Sequence, residues 1–321
     1  MKRGLWISLL LCLGIAAPVQ AKPDLTEKLG PTIADRGSAF YRFETLEMPS
    51  ADGARHYRIW IGVPRRKAPR IGYPVIYLLD GNAAMGALNE QQLGELDAQG
   101  PPVLVAIGYA TDLRFDVVAR AYDYTPPLPG VEKVIDDLAR DRRGGGAEQF
   151  LDLLEQRIKP AVAERAPLDR SHQTLWGHSY AGLLVLHTLF TRPQSFQFYA
   201  SADPSLWWQK GFILSEEQAF NSRADRPKRL LLMHGEAPAG GGSPPPGVDD
   251  KVLQARREAQ AAVPQDAIPQ LATRLAQLPG MQVGYRAFPG MDHGPLLPVS
   301  LGLALQLALG KAPAEVAQHG Q

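Results

Sequence analysis

Cysteine is nearly absent from this 321-residue chain, with Cys12 the one copy. No disulfide can form within it, so stability must come from a buried core. An excess of one charge is missing too. Thirty-four basic and 33 acidic residues leave a net charge of +1, which gives the whole molecule no electrostatic attraction for nucleic acid. No apolar run is long enough for a comfortable membrane span, and no internal repeat is visible.

What is present suits one large globular domain. The chain is 45% hydrophobic and carries 28 prolines, ample apolar content for a core. The first 21 residues read as a secretory signal rather than as fold. Lys2 and Arg3 are a basic start, Leu5 to Ala17 an apolar stretch, and Val19-Gln20-Ala21 a small-residue cleavage site. Cleavage after Ala21 removes Cys12, and export places the mature chain, 22–321, in the periplasm. An uncleaved signal acting as an inner-membrane tether is the alternative.

Apolar periodicity sets the order of elements. Phe40 to Met48 and Tyr57 to Val63 alternate and read as an antiparallel hairpin. Pro74 to Leu79 and Val103 to Ile107 are continuous apolar runs, the mark of strands buried on both faces. A helix is expected over Ala83 to Ala98, and the segment 111–146 breaks the pattern. Within it Arg142-Arg143-Gly144-Gly145-Gly146 reads as a flexible hinge. An amphipathic helix over Phe150 to Ala163 follows, with Phe150, Leu153, Leu154 and Ile158 on one face. Further strands are expected over Phe196 to Ser201, Arg229 to Met233 and Met281 to Phe288. Between the last two lie a Gly/Pro loop, about 237–250, and a largely helical stretch to Leu278. A terminal helix ends near Leu309. Strands alternating with helices imply an α/β fold with a mostly parallel, eight-stranded sheet covered by helices on both faces.

The chemistry centres on Trp176-Gly177-His178-Ser179-Tyr180-Ala181-Gly182. An apolar strand leads in and a small-residue helix leads out, so Ser179 sits at the apex of a sharp strand–turn–helix elbow. Ala181 stands where a second glycine is usual, and Gly182 follows one residue late. A serine hydroxyl needs a base. Of seven histidines, His178 belongs to the elbow, and His56, His172 and His187 lie on strand or helix faces. His319 is in the tail, His234 ends a strand and is ambiguous, and His293 lies on a Gly/Pro-rich loop after the final strand. That placement makes His293 the candidate base. The acid that holds it is expected after the strand 229–233, at Glu236. Asp249, Asp250, the less favourably directed Asp292, or no acid at all are the alternatives. Tyr180, after the nucleophile, and Gly81-Asn82, after the third strand, are the candidate oxyanion donors. A plain strand-to-helix turn capped by Asp80 or Asn82 is the other reading of that stretch.

Several stretches in order carry a resemblance. They are Tyr77-Leu78-Leu79-Asp80-Gly81-Asn82-Ala83, Ile107-Gly108-Tyr109, Arg114-Phe115-Asp116, Arg120-Ala121-Tyr122-Asp123-Tyr124-Thr125-Pro126, Gly177-His178-Ser179-Tyr180, Pro204-Ser205-Leu206-Trp207-Trp208 and Asp292-His293-Gly294-Pro295. Together they resemble the esterase branch of the α/β-hydrolases, and within it the periplasmic siderophore esterases of the IroE type. The resemblance spans most of the chain after residue 21. It implies hydrolysis of the ester bonds of a catecholate trilactone such as enterobactin or salmochelin, with no metal or other cofactor in the chemistry. An anionic aromatic substrate fits Arg114 and Arg120 as cationic partners and Trp207 and Trp208 as an apolar wall. The arginines could instead pair with Asp116, Asp123 or a backbone carbonyl, and one tryptophan could belong to the core. An esterase or acyltransferase acting on another ester is one alternative function. A ligand-binding protein without catalysis is the other, and Ala181 is the feature that favours it.

Overall fold

The computed structural model describes residues 26–137, 141–221, 227–236 and 250–311. The signal segment 1–21, the loop 237–249 and the tail histidine His319 lie outside them.

Strands β1 (Tyr41–Pro49), β2 (His56–Pro64), β3 (Tyr73–Leu78), β4 (Val103–Tyr109), β7 (Leu168–His178), β8 (Phe198–Ala202), β9 (Lys228–Glu236) and β10 (Met281–Pro289) form one eight-stranded sheet. Its order is β1-β2-β4-β3-β7-β8-β9-β10. The β1–β2 and β2–β4 pairs are antiparallel and every later pair is parallel. A short ribbon of β5 (Ile135–Asp137) and β6 (Arg142–Arg143) stands apart from it.

Side chains alternate across a strand, and this splits the core in two. Ile59, Ile61, Val75, Tyr77, Val105, Leu175 and Leu230 face the helices at 147–163, 180–191 and 267–276. Trp60, Ile76, Leu78, Leu104, Trp176, Leu231 and Met233 face the helices at 81–87, 90–97 and 293–308. Every residue of β4 is buried, which explains its unbroken apolar run.

Three local expectations need correction. The helix expected over 83–98 is two helices, Gly81–Ala87 and Glu90–Asp97, because Asn89 and Gln92 form a reciprocal capping box that starts a new one. The helix from Ala147 carries a π-helical turn at Leu154–Ile158, just before Pro160, which has no N–H to keep the α-helical ladder. The glycines at 144–146 are not a flexible hinge. Their N–H groups donate to Val134 O, Thr125 Oγ1 and Tyr122 O at 3.0, 2.8 and 2.8 Å. A Cβ on Gly146 would overlap the Tyr122 ring, so close packing, not mobility, selects glycine there.

The helix leading out of the elbow is locked by a charge network around buried His187. His187 donates through Nδ1 to Glu216 and through Nε2 to Glu148, at 2.8 and 2.9 Å, and Arg192 also bonds Glu148. Two carboxylates on the two ring nitrogens favour the imidazolium form. Burial opposes that charge, but hydrogen bonds and charges from Glu148 and Glu216 outweigh it and raise the His187 pKa. The His187 hydrogen bond is the largest effect holding the Glu148 carboxyl down, to about 2. His187 therefore contributes stability that is fully present below its unfolded value of 6.5 and is lost as pH rises through its higher folded value. The Glu148 contribution is present above its unfolded value of 4.5 and is lost as pH falls through about 2. Stability from this network should peak between those two unfolded values. His187→Gln should cost about 3 kcal/mol near pH 6 and flatten the decline in thermal midpoint as pH rises above the unfolded value of 6.5. Calorimetry across that range checks it; parallel declines in both proteins would place the pH sensitivity elsewhere.

Candidate active site

Sheet register assembles the site. His178 pairs with Ala202, and Ala202 with Met233. One step beyond that row lie Ser179, Asp203 and His234, side by side at the carboxyl ends of β7, β8 and β9. His293 enters from the start of the helix His293–Ala308, just past β10.

Ser179 has φ +64° and ψ −120°, a conformation costing about 1–3 kcal/mol in a non-glycine residue. Neighbours clamp it. Its N–H donates to Ala202 O at 2.9 Å, and its carbonyl accepts from Leu183 N and Ser205 N at 2.9 and 3.2 Å. Glycine at 177 is required because a Cβ there would overlap the Ala181 backbone and lie 2.8 Å from the Ala181 methyl. The close approach to β8 falls at Gly182, where a Cβ would lie 2.8 Å from Ala202 O. The displaced glycine thus has its own steric reason, and Ala181 is accommodated with its methyl wholly buried.

The partly exposed Ser179 hydroxyl lies 3.4 Å from Ser205 Oγ. It makes no hydrogen bond to His293; such contacts are often long before substrate arrives. The His293 ring lies against the ring of His178, the residue preceding Ser179, with centroids 4.4 Å apart. His293 Nδ1 contacts Asp203 Oδ2 at 3.1 Å, which leaves Nε2 as the nitrogen available to a hydroxyl.

Asp203 is 7% exposed and has φ +39°. Its Oδ1 accepts from His234 Nδ1 at 2.8 Å and from Gly235 N at 2.9 Å. Burial alone would raise this carboxyl. Hydrogen bonds from His234 and His293, the His293 charge and the Gly235 N–H outweigh it and hold the group ionised, well below the usual carboxylate range. Glu236, expected against His293, is exposed at the end of β9. Its charge acts on Tyr285, and Asp203 occupies the place against His293. Asp250 opens the helix Asp250–Ala261, and Asp249 lies outside the described residues. Asp292 precedes His293 as the residue before the last helix.

His178, Asp203 and His293 offer ligand atoms within 4.8 Å of one another. Both Asp203 oxygens already accept ring or backbone N–H groups, so hydrogen bonding accounts for this cluster. Burial holds His178 well below the ordinary histidine range, hence neutral.

The turn after β3 faces the elbow from the other side. Asp80 has φ +50°, and a Cβ on Gly81 would stand 2.5 Å from Gly108 N. The Asn82 side chain is committed to the last residue of β4 and the chain after it. Its Oδ1 accepts from Tyr109 N at 2.9 Å and its Nδ2 donates to Leu113 O at 3.0 Å, so only backbone N–H groups can serve an oxyanion here. Tyr180, Gly81 and Asn82 each lie in the first turn of a helix, where N–H groups lack intrahelical partners.

Arg120 forms a two-pronged pair with Asp80 at 2.8 and 2.7 Å, 5.4 Å over the Tyr180 ring. Arg114 pairs with Glu27 at 2.7 Å. Each arginine thus meets a carboxylate other than the Asp116 or Asp123 considered from sequence. Asp123 instead takes hydrogen bonds from Tyr57 and Tyr109 and pairs with Arg55. Trp208 is buried and donates to Asp136 Oδ1 at 3.0 Å, while half-buried Trp207 faces Tyr180 at 6.0 Å. The same Asp136 oxygen accepts the Tyr180 hydroxyl at 2.8 Å, tying the β5–β6 ribbon to the residue after Ser179.

A family model described as "Putative esterase" matches residues 50–237. The chain belongs to this esterase family. The apo-salmochelin esterase of Escherichia coli is 39% identical over 92% of this chain and 87% of its own. The ferri-bacillibactin esterase BesA of Bacillus subtilis is 33% identical over 83% of this chain and 89% of its own. Among solved structures, the enterobactin and salmochelin hydrolase IroE matches with a TM-score of 0.66 and 36% identity over 88% of this chain and all of that one. IroE is also known in complex with DFP, a reagent for serine hydrolases. The chain is accordingly an α/β-hydrolase-fold ester hydrolase.

Proposed function

We propose that this protein hydrolyses the ester bonds of a catecholate trilactone siderophore, with Ser179 as nucleophile, His293 as base and Asp203 as acid. The observation that carries the reading is the convergence of a strained, partly exposed serine with a histidine whose Nδ1 meets an ionised aspartate. Ser179 Oγ attacks an ester carbonyl while His293 Nε2 takes its proton. The oxyanion receives backbone N–H groups from Tyr180 and the Gly81-Asn82 turn. Collapse expels the ring-opening alcohol, protonated by His293, and water then releases the acyl group as a carboxylate. Trp207 and the Arg120–Asp80 pair flank Tyr180 and are offered as the wall against a catecholate ring; Arg114 has no comparable contact with the elbow.

Residues 1–21 are proposed as an export signal that delivers the enzyme to the periplasm. No described helix is long and apolar enough to cross a membrane.

The test is incubation of purified protein with ferric and iron-free trilactone, followed by mass spectrometry. One water should be gained per ester cut, giving linear trimer, dimer or monomer. Hydrolysis of p-nitrophenyl esters without attack on the trilactone would move the substrate to another ester. Tight trilactone binding without any hydrolysis would establish the non-catalytic alternative.

A further inference from the structure

Asp203 meets two imidazoles, and a triad needs one. His234, the half-buried residue before Gly235 on β9, donates Nδ1 to Oδ1 at 2.8 Å, shorter than the 3.1 Å contact from His293 to Oδ2. The His234 side chain is only 25% exposed. Gly235 N joins it on the same oxygen at 2.9 Å. A short aspartate side chain turns about two bonds. With Oδ1 pinned by two donors from one rigid strand, Oδ2 has one direction left, toward His293. Gly235 itself cannot carry a side chain, since a Cβ would lie 2.6 Å from Met291 O and 3.3 Å from Asp203 Oδ2. The strand end is thus shaped to bring the His293 loop onto the aspartate that His234 holds.

We propose that His234 is a positioning residue of the reaction: it presents Oδ2 of Asp203 to His293 and divides the carboxylate's charge between two imidazoles. The proposal rests on the reading of Asp203 and His293 as acid and base. The ionisable groups around that carboxylate are His234 from β9, Tyr285 from β10, His293 from the last helix and His178 from the end of β7. Arg120 acts on His178, and Glu236 on Tyr285.

Two consequences separate this role from plain structural support. Because both rings donate through Nδ1 to one carboxylate, Asp203→Ala should remove two downfield imidazole N–H resonances from the proton NMR spectrum, while those of the His187 network stay in place. In His234→Ala the carboxylate keeps more charge for His293, so the acid limb of the pH profile of kcat/KM should move to higher pH. Looser aim should lower kcat by roughly tenfold. His234→Asn restores a neutral donor at nearly the same place and should recover kcat to within about threefold. The ester assay and the spectra are run on the same preparations. An inactive wild type would overturn the functional reading, whereas the two resonances test the His234 contact without any substrate. Loss of only one downfield resonance in Asp203→Ala, or a His234→Ala enzyme with unchanged kcat and acid limb, overturns the proposal. If His234→Ala does not fold, the resonances lost in Asp203→Ala and the kinetics of the asparagine variant still decide it.

Discussion

Ser179→Ala should abolish ester turnover, lowering kcat by roughly a millionfold while leaving the fold intact. The chemical reason is that no other described hydroxyl shares this geometry. Ser205 lies 3.4 Å away, but it is 3% exposed and follows the aspartate rather than capping an elbow helix. Activity should not fall to the uncatalysed rate, because backbone donors at Tyr180 and Gly81-Asn82 would remain to bind a developing oxyanion. Stability should change little. Alanine at φ +64° carries the same backbone strain as serine, and the hydroxyl lost makes only a long contact. A thermal midpoint within about 2 °C of wild type, together with loss of labelling by a fluorophosphonate, would locate the nucleophile. Retention of more than about a hundredth of wild-type kcat would place it elsewhere.

Much of this architecture was legible in the residues. The continuous apolar runs at 74–79 and 103–107 marked central strands because burial on both faces leaves no room for alternation. The elbow was legible because a strained serine needs a small residue beneath it, here Gly177. Its late glycine has a plain steric cause at Ala202 that only tertiary contact reveals. The Arg-Ala-Tyr-Asp-Tyr-Thr-Pro stretch reads as substrate chemistry in one dimension. In three it fastens a loop to the sheet. Asp123 gathers Tyr57, Tyr109 and Arg55; Tyr124 accepts the Asp80 N–H; and Arg120 pairs with Asp80. Apart from Tyr109 and Asp123, 14 positions apart, these pairings join residues 40 or more positions apart, and no local period encodes them. Asp203 was missed for the same reason. Its contact with His293 depends on the register of β7, β8 and β9, which sets Ser179, Asp203 and His234 in one row. The one local signal was an aspartate directly after a buried strand that neighbours the elbow strand.

That row gives the second large effect. Asp203→Asn, nearly isosteric and tolerant of φ +39°, should fold as wild type does yet lose about 10³–10⁴-fold in kcat. His234 Nδ1 and Gly235 N both donate to Oδ1, so the amide must place its carbonyl oxygen there. Its NH₂ then replaces Oδ2 and meets His293 Nδ1. Two donors cannot face each other without loss, so His293 shifts its proton to Nε2. That nitrogen can then no longer accept the Ser179 proton. The amide should therefore be no better a substitute than alanine, which removes the hydrogen bond without imposing the wrong tautomer. Glu236→Gln, altering the exposed carboxylate at the end of β9, should retain kcat to within about threefold. Steady-state kinetics on the three variants separate the two acids: a severe loss in Glu236→Gln beside a mild one in Asp203→Asn would return the role to Glu236.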